Sequence, residues 1–152
     1  RRLTRIPAPI RTQISIAELF TDLKKLFPEE EFQFEVPSPE LKLNVDRTQI
    51  EQILINLLKN AREACSRKSD KKIQVKARKL SAGNTTLTIS DNGEGILPDV
   101  LDKIFVPFFT TKTSGSGIGL SLCKQIMTLH EGSINVKSEV GKGSSFILTF
   151  PK

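Results

Sequence analysis

Residues 46–65, DRTQIEQILINLLKNAREAC, carry the reading from which the rest follows. Ile50, Ile53, Leu54, Leu57, Leu58, Ala61, Ala64 and Cys65 recur at spacings of three and four. At ~100° per residue they gather into an arc of roughly 140°. That pattern predicts a helix from Arg47 to about Arg67 with one apolar face, and Asp46 stands where an N-cap belongs. Asn56, Asn60 and Glu63 fall together on the edge of the arc, at i, i+4 and i+7. Asparagine is a mediocre helix former, so two in mid-helix need a reason. Two readings compete: solvated amides at the rim of a core, or a site for a hard cation. An amide oxygen suits Mg²⁺, which prefers oxygen ligands and takes others from a substrate's phosphates.

Around this helix the periodicity changes. Arg11–Ile16 reads as a short strand, Ile16–Phe27 as an amphipathic helix and Phe32–Val36 as a strand closed by Pro37 and Pro39. Leu41–Val45 is a further extended piece. Ile73–Leu80 and Thr85–Ser90 alternate as strands around a turn at Ser81-Ala82-Gly83-Asn84. An apolar, aromatic stretch fills 101–109, and a Thr/Ser/Gly-rich segment expected to be flexible covers 110–117. A helix from about Ile118 to His130 is expected to end at Gly132. Ile134–Ser138 and Ser145–Phe150 form a hairpin around Gly141-Lys142-Gly143. Strands and helices mix without strict βαβ alternation. The fold class is therefore α+β: a two-layer α/β sandwich, its mixed sheet covered on one face by helices.

Two glycine-rich stretches flank the aromatic segment. Asp91-Asn92-Gly93-Glu94-Gly95-Ile96 follows an alternating strand. A calcium loop fails here, because its sixth position requires Gly and this chain has Ile96. An aspartate at a strand end can instead accept a hydrogen bond from an exocyclic amine, with glycines letting a flat ring approach the backbone. Gly115-Ser116-Gly117-Ile118-Gly119-Leu120 enters a helix. It is neither the dinucleotide G-x-G-x-x-G nor a P-loop, and alone it reads equally as a linker. Free backbone N–H groups and the positive end of a helix dipole also make such a loop a phosphate site.

With 152 residues the chain is the size of one domain. A hydrophobic share of 38% and a charged share of 26% describe a soluble, globular chain. No apolar run approaches the ~20 residues that span a bilayer, so direct membrane insertion is not expected. The net charge of +6 is dispersed, and with no Trp or Tyr there are few stacking platforms, so no nucleic-acid partner is expected. Cys65 and Cys123 match no metal spacing and fit a reducing cytoplasm.

The sequence resembles the GHKL ATPase superfamily and, within it, the ATP-binding catalytic domain of two-component sensor histidine kinases. Asn56-Leu57-Leu58-Lys59-Asn60-Ala61 matches the asparagine box and DNGEGI the first glycine box. Ile104 to Lys112, IFVPFFTTK, matches the phenylalanine box, GSGIGL the second glycine box, and Gly141-Lys142-Gly143-Ser144-Ser145-Phe146 closes the pattern. Five motifs stand in the family's order, and the resemblance covers roughly residues 11–151. The resemblance implies that Asn60 coordinates Mg²⁺ and Asn56 helps hold the triphosphate of ATP. Asp91 would bind the adenine amine, Ser144 would share an ordered water with it, and Gly93, Gly95 and Ile96 would line the base. Gly115, Gly117, Ile118, Gly119 and Leu120 would cradle phosphates, with Lys112 a phosphate partner. Phe105, Phe108 and Phe109 would anchor the 110–117 segment, which the resemblance makes a lid.

The implied activity is transfer of the γ-phosphoryl group to a histidine on a dimerisation domain absent from this chain, with a response regulator downstream. Residues 1–10 would be the residual junction to that domain and 11–152 the catalytic domain, in the cytoplasm whether or not the parent is membrane-anchored. Efficient GHKL hydrolases carry a glutamate base where Asn56 stands, and an amide cannot take a proton from water. That favours transfer over hydrolysis. Some histidine kinases carry a basic residue where Glu63 stands. The single histidine, His130, is followed by Glu131 and then Gly132, and reads as a histidine at a helix end rather than a phosphoacceptor. The alternatives are a GHKL ATPase clamp, a serine-protein-kinase relative, and a nucleotide-sensing module without catalysis.

Overall fold

A computed structural model of the protein describes residues 6–109 and 119–152. Its elements are β1 (Thr12–Ser15), α1 (Ile16–Leu26), β2 (Phe32–Glu35), β3 (Lys42–Val45), α2 (Arg47–Ala64), β4 (Ile73–Lys79), β5 (Thr85–Asp91), α3 (Pro98–Leu101), α4 (Gly119–Leu129), β6 (Ser133–Glu139) and β7 (Gly143–Phe150). Five strands form one sheet in the order β2-β4-β5-β7-β6, parallel at β2–β4 and antiparallel elsewhere. β1 and β3 pair separately as an antiparallel ribbon. The expected mixed sheet is present, with α1, α2 and α4 packed on it.

Period-two patterning explains the layers. Ile73, Val75 and Ala77 of β4, Leu87 and Ile89 of β5, and Phe146, Leu148 and Phe150 of β7 are buried, while the intervening residues are exposed or half-buried. Antiparallel registers align these apolar sets on one face, Ile89 opposite Phe146 and Leu87 opposite Leu148. The arc of α2 supplies the other half of the core: Ile50, Ile53, Leu54, Leu57, Leu58 and Ala61 are all buried. Removal of this much apolar surface from water is the main force holding the helices to the sheet.

Helix ends differ from the sequence expectation in two places. α2 stops at Ala64, with Cys65 as its C-cap, rather than near Arg67. The reason is tertiary: the Ala64 carbonyl accepts the Glu94 N–H at 3.1 Å, from the loop after β5. At the end of α4 the left-handed residue is Glu131, with φ 59°, not Gly132. The Glu131 N–H donates to the Thr128 carbonyl (2.9 Å) and the Gly132 N–H to the Met127 carbonyl (2.9 Å), a Schellman closure. Gly132 serves closeness instead, since a Cβ there would strike the Thr149 carbonyl.

The described part of the leading segment is docked. Ile10 donates its N–H to Asp46 (2.9 Å), and the Gln49 amide donates to the Pro7 carbonyl (2.8 Å). Arg11 donates to the Leu129 carbonyl (2.9 Å). Asp46 also caps α2 as expected, accepting the Gln49 N–H, and the Ile10 amide holds its carboxyl below the ordinary range. His130 is buried; its Nε2 accepts the Asp46 N–H (3.1 Å) and its Nδ1 donates to the Ile126 carbonyl (2.9 Å). With both nitrogens committed to backbone, His130 has no route to a phosphoryl group. No helix among the described residues is long and apolar enough to cross a membrane.

Candidate functional site

The apolar face of the sheet turns polar at one level, and that level is the candidate site. Along β5 the inward residues run Leu87, Ile89, Asp91; along β7, Leu148, Phe146, Ser144; along β6, Ile134, Val136, Ser138. The registers pair Asp91 with Ser144 and Ser144 with Ser138. Directly opposed residues share a face, so three polar side chains form a row across three strands.

The carboxyl of Asp91 accepts the Gly93 N–H at 2.8 Å. Burial pushes its pKa up, while the backbone amides of Gly93 and Ser144 pull the other way. The net shift is upward, because Asp91 is kept largely from water.

The edge of α2 runs past this row. Ala64 touches the loop after Asp91: a Cβ on Gly93 would meet the Ala64 carbonyl oxygen at 2.5 Å. Cys65 Sγ lies 3.6 Å from Asn92 Oδ1. Two turns earlier, a Cβ on Gly119, the first residue of α4, would come within 2.9 Å of Asn56 Oδ1. Asn56, Asn60 and Ala64 lie within ~80° of one another on the helix and span ~12 Å along it. One helix edge therefore joins the aspartate loop at one end to the mouth of α4 at the other, with Asn60 midway. Asn56 and Asn60 are half-buried, and Glu63 is exposed.

A helix's opening N–H groups and its dipole favour an anion, and the first described residues of α4 lie beside Asn56. Gly119 and Leu120 stand there. Lys112, Gly115, Gly117 and Ile118 lie outside the described residues. Ile96 is fixed by its N–H, which donates to Ser138 Oγ at 2.8 Å. Phe105 is partly buried against the core with Lys124 Nζ 5.7 Å from its ring centroid, whereas Phe108 is half exposed.

Gly95 and Gly143 have a packing reason that involves no ligand. A Cβ on Gly95 would collide with the Glu139 carbonyl, and one on Gly143 with the Asp91 carbonyl, where φ is +121°. Gly143→Ala is expected to lower stability by about 2 kcal/mol, a fall in Tm of roughly 5 °C. An unchanged thermal melt would show that β5 and β7 do not need this contact.

Two features escaped the sequence reading. Ser138 was read only as a strand residue. Its place opposite Ser144 follows from hairpin register alone. Arg67 and Lys68 count in the sequence only as part of a dispersed positive charge, yet with Glu63, Ala64, Ser66 and Glu94 they line a cavity of about 330 Å³ at the C-terminal end of α2. Neither cysteine is a nucleophile: burial raises the Cys65 thiol and pushes Cys123 up to about 12. Among the described residues no group of three or more His, Cys, Asp or Glu could hold a metal ion.

Residues 45–152 match the family described as histidine kinase-, DNA gyrase B- and HSP90-like ATPases. The chain belongs to this family. Within the histidine kinase-, DNA gyrase B- and HSP90-like ATPases, histidine kinases are among its relatives. It is 35% identical to the nucleotide-free catalytic domain of histidine kinase ThkA, with a TM-score of 0.81, covering 93% of this chain and 95% of that one. It is 39% identical over 110 residues to sensor histidine kinase ZraS of Salmonella typhimurium, covering 72% of this chain and 23% of ZraS. Histidine kinase ThkA in complex with the response regulator TrrA is also similar, at 31% identity and a TM-score of 0.75, covering 93% of this chain and 42% of that one. As a histidine-kinase-type ATPase domain, the chain spans less than a quarter of ZraS.

Proposed function

We propose that this domain binds Mg·ATP and passes the γ-phosphoryl group to a histidine on a dimerisation domain of the same parent protein. The phosphoryl group would then go to a response regulator, as the ThkA–TrrA assembly suggests by analogy. The observation that carries the reading is the single edge of α2. It sets Asn56 against the mouth of α4 and Ala64 against the aspartate loop. A base at Asp91 and phosphates at Gly119 and Leu120 would then lie at the two ends of one elongated ligand.

The residues fit a magnesium ion. Asn60 would hold it by its amide oxygen, the rest of the shell coming from phosphate and water. The small residue at Gly119 leaves the Asn56 amide in place beside the helix mouth, where an alanine would press on its oxygen. When bound, the ion would neutralise phosphate charge. Asp91 would accept from the adenine amine, with Ser144 beside it; Gly93, Gly95 and Ile96 shape that end. Gly115, Gly117, Ile118, Gly119 and Leu120 would offer backbone N–H groups, and Lys112 a charge, to the phosphates. Catalysis of this kind rests on positioning and electrostatics. Asn56 supplies no base for water, so the domain waits for an acceptor that brings its own nucleophile. Two buried free thiols favour a cytoplasmic setting.

Mixing this chain with a separately made acceptor domain and ATP labelled at the γ-phosphate tests the proposal. Acid-labile label on the acceptor's histidine is the expected outcome. Acid-stable label on serine would point to the serine-kinase relatives, and steady turnover of ATP by this chain alone to the ATPase clamps. Either would overturn the assignment.

A further inference from the structure

Ser138 Oγ has three neighbours: the Ile96 N–H at 2.8 Å, Ser144 Oγ at 2.8 Å and the Gly143 carbonyl at 3.2 Å. A hydroxyl has one proton to give and two lone pairs to receive with. Ile96 can only donate and the Gly143 carbonyl can only accept. All three bonds form together in one arrangement: Ser138 donates to Gly143 and accepts from Ile96 and from Ser144. The Ser144 proton is then committed toward Ser138, away from Asp91. What Ser144 turns to its other neighbour is lone pairs.

We propose that Ser138 is a specificity-positioning residue: by taking the proton of Ser144 it makes the base end of the site accept hydrogen bonds only. The inference deepens the nucleotide reading above and rests on it. Asp91, when ionised, offers only acceptors, and its backbone donors are already spent on it. A second acceptor at Ser144 leaves no side-chain hydroxyl in the row able to meet a carbonyl. Such an end takes a ring bearing an amine, directly or through a water whose two protons go to Asp91 and Ser144. It rejects the otherwise similar ring bearing a carbonyl, because two acceptors would then face one another. Ser138 touches no ligand in this scheme. It acts through Ser144, and through Ile96 it also fixes the loop beside the base.

The test compares ATP with ITP, which differ by this amine-to-carbonyl exchange. Affinities of both are measured for the wild-type chain and for Ser138→Ala and Ser138→Thr. Ser138→Ala releases the Ser144 proton, and the ATP:ITP affinity ratio is expected to fall by about tenfold. Ser138→Thr keeps the hydroxyl and is expected to restore the ratio. A merely structural role would weaken both nucleotides alike and leave the ratio unchanged, which would overturn the proposal. If the wild-type chain binds neither nucleotide, the nucleotide reading itself has failed. If it binds ATP selectively and Ser138→Ala stays as selective, only the role of Ser138 is lost.

Discussion

Asp91→Asn is expected to lower ATP affinity by about a hundredfold while leaving the fold intact. The substitution keeps the shape of the side chain and an oxygen for the Gly93 N–H. It replaces the other oxygen by an amide that donates, facing an amine that also donates. A reversed hydrogen bond to a charged group in a half-buried site corresponds to ~3 kcal/mol. The pH dependence carries the same signature. Burial raises the carboxyl's pKa in the folded chain, so the charged form costs stability above that value, and the cost is relieved as pH falls through it. Protonation also turns the carboxyl into a donor. ATP affinity of the wild-type chain is therefore expected to fall as pH is lowered on the acid side of neutrality, and that of Asp91→Asn to fall less steeply, since only the ligand's own phosphate then titrates. Titration of a fluorescent ATP analogue across pH, with thermal melts in parallel, measures both. Parallel pH profiles for the two proteins would remove Asp91 from the site.

Asn60→Ala is the second large effect. With magnesium present the affinity for ATP is expected to drop by up to about a hundredfold, and with the metal chelated the variant and the wild type should bind alike. The helix itself should tolerate the change, since alanine is the better helix former and Asn60 is only half-buried on the margin of the apolar face. A variant that lost binding equally with and without magnesium would show that Asn60 holds the nucleotide or the fold, and not the ion.

Much of this was legible before any coordinates. The arc of Ile50 to Ala61 and the alternation in residues 73–79 and 85–90 fixed which faces are buried, because burial follows period directly. The edge position of Asn56 and Asn60 followed from the same geometry. What the periodicity did not carry was long-range contact. α2 ends at Ala64 because a loop thirty residues further on takes its carbonyl, and no local propensity encodes that. Glu131 adopts the left-handed turn beside a glycine that seemed made for it, because Gly132 is needed against Thr149. Residues 1–10 read as a residual linker, and nothing local in them foretells a docked stretch. Their hydrogen bonds to Asp46 and Gln49 depend on where two distant helix ends meet. Ser138 stayed hidden for another reason: strand register, which sequence leaves loose by a residue or two, decides whether it faces Ser144 or its neighbour.

Among the described residues, the strand order β2-β4-β5-β7-β6 leaves two margins open. One is the four-residue β2, and the other is β6, whose solvent-facing positions include Lys137 and Glu139. Short length and alternating charge make both poor templates for a neighbouring backbone. Concentrated samples should thus resist amyloid-like stacking, and any self-association has to be built from side chains.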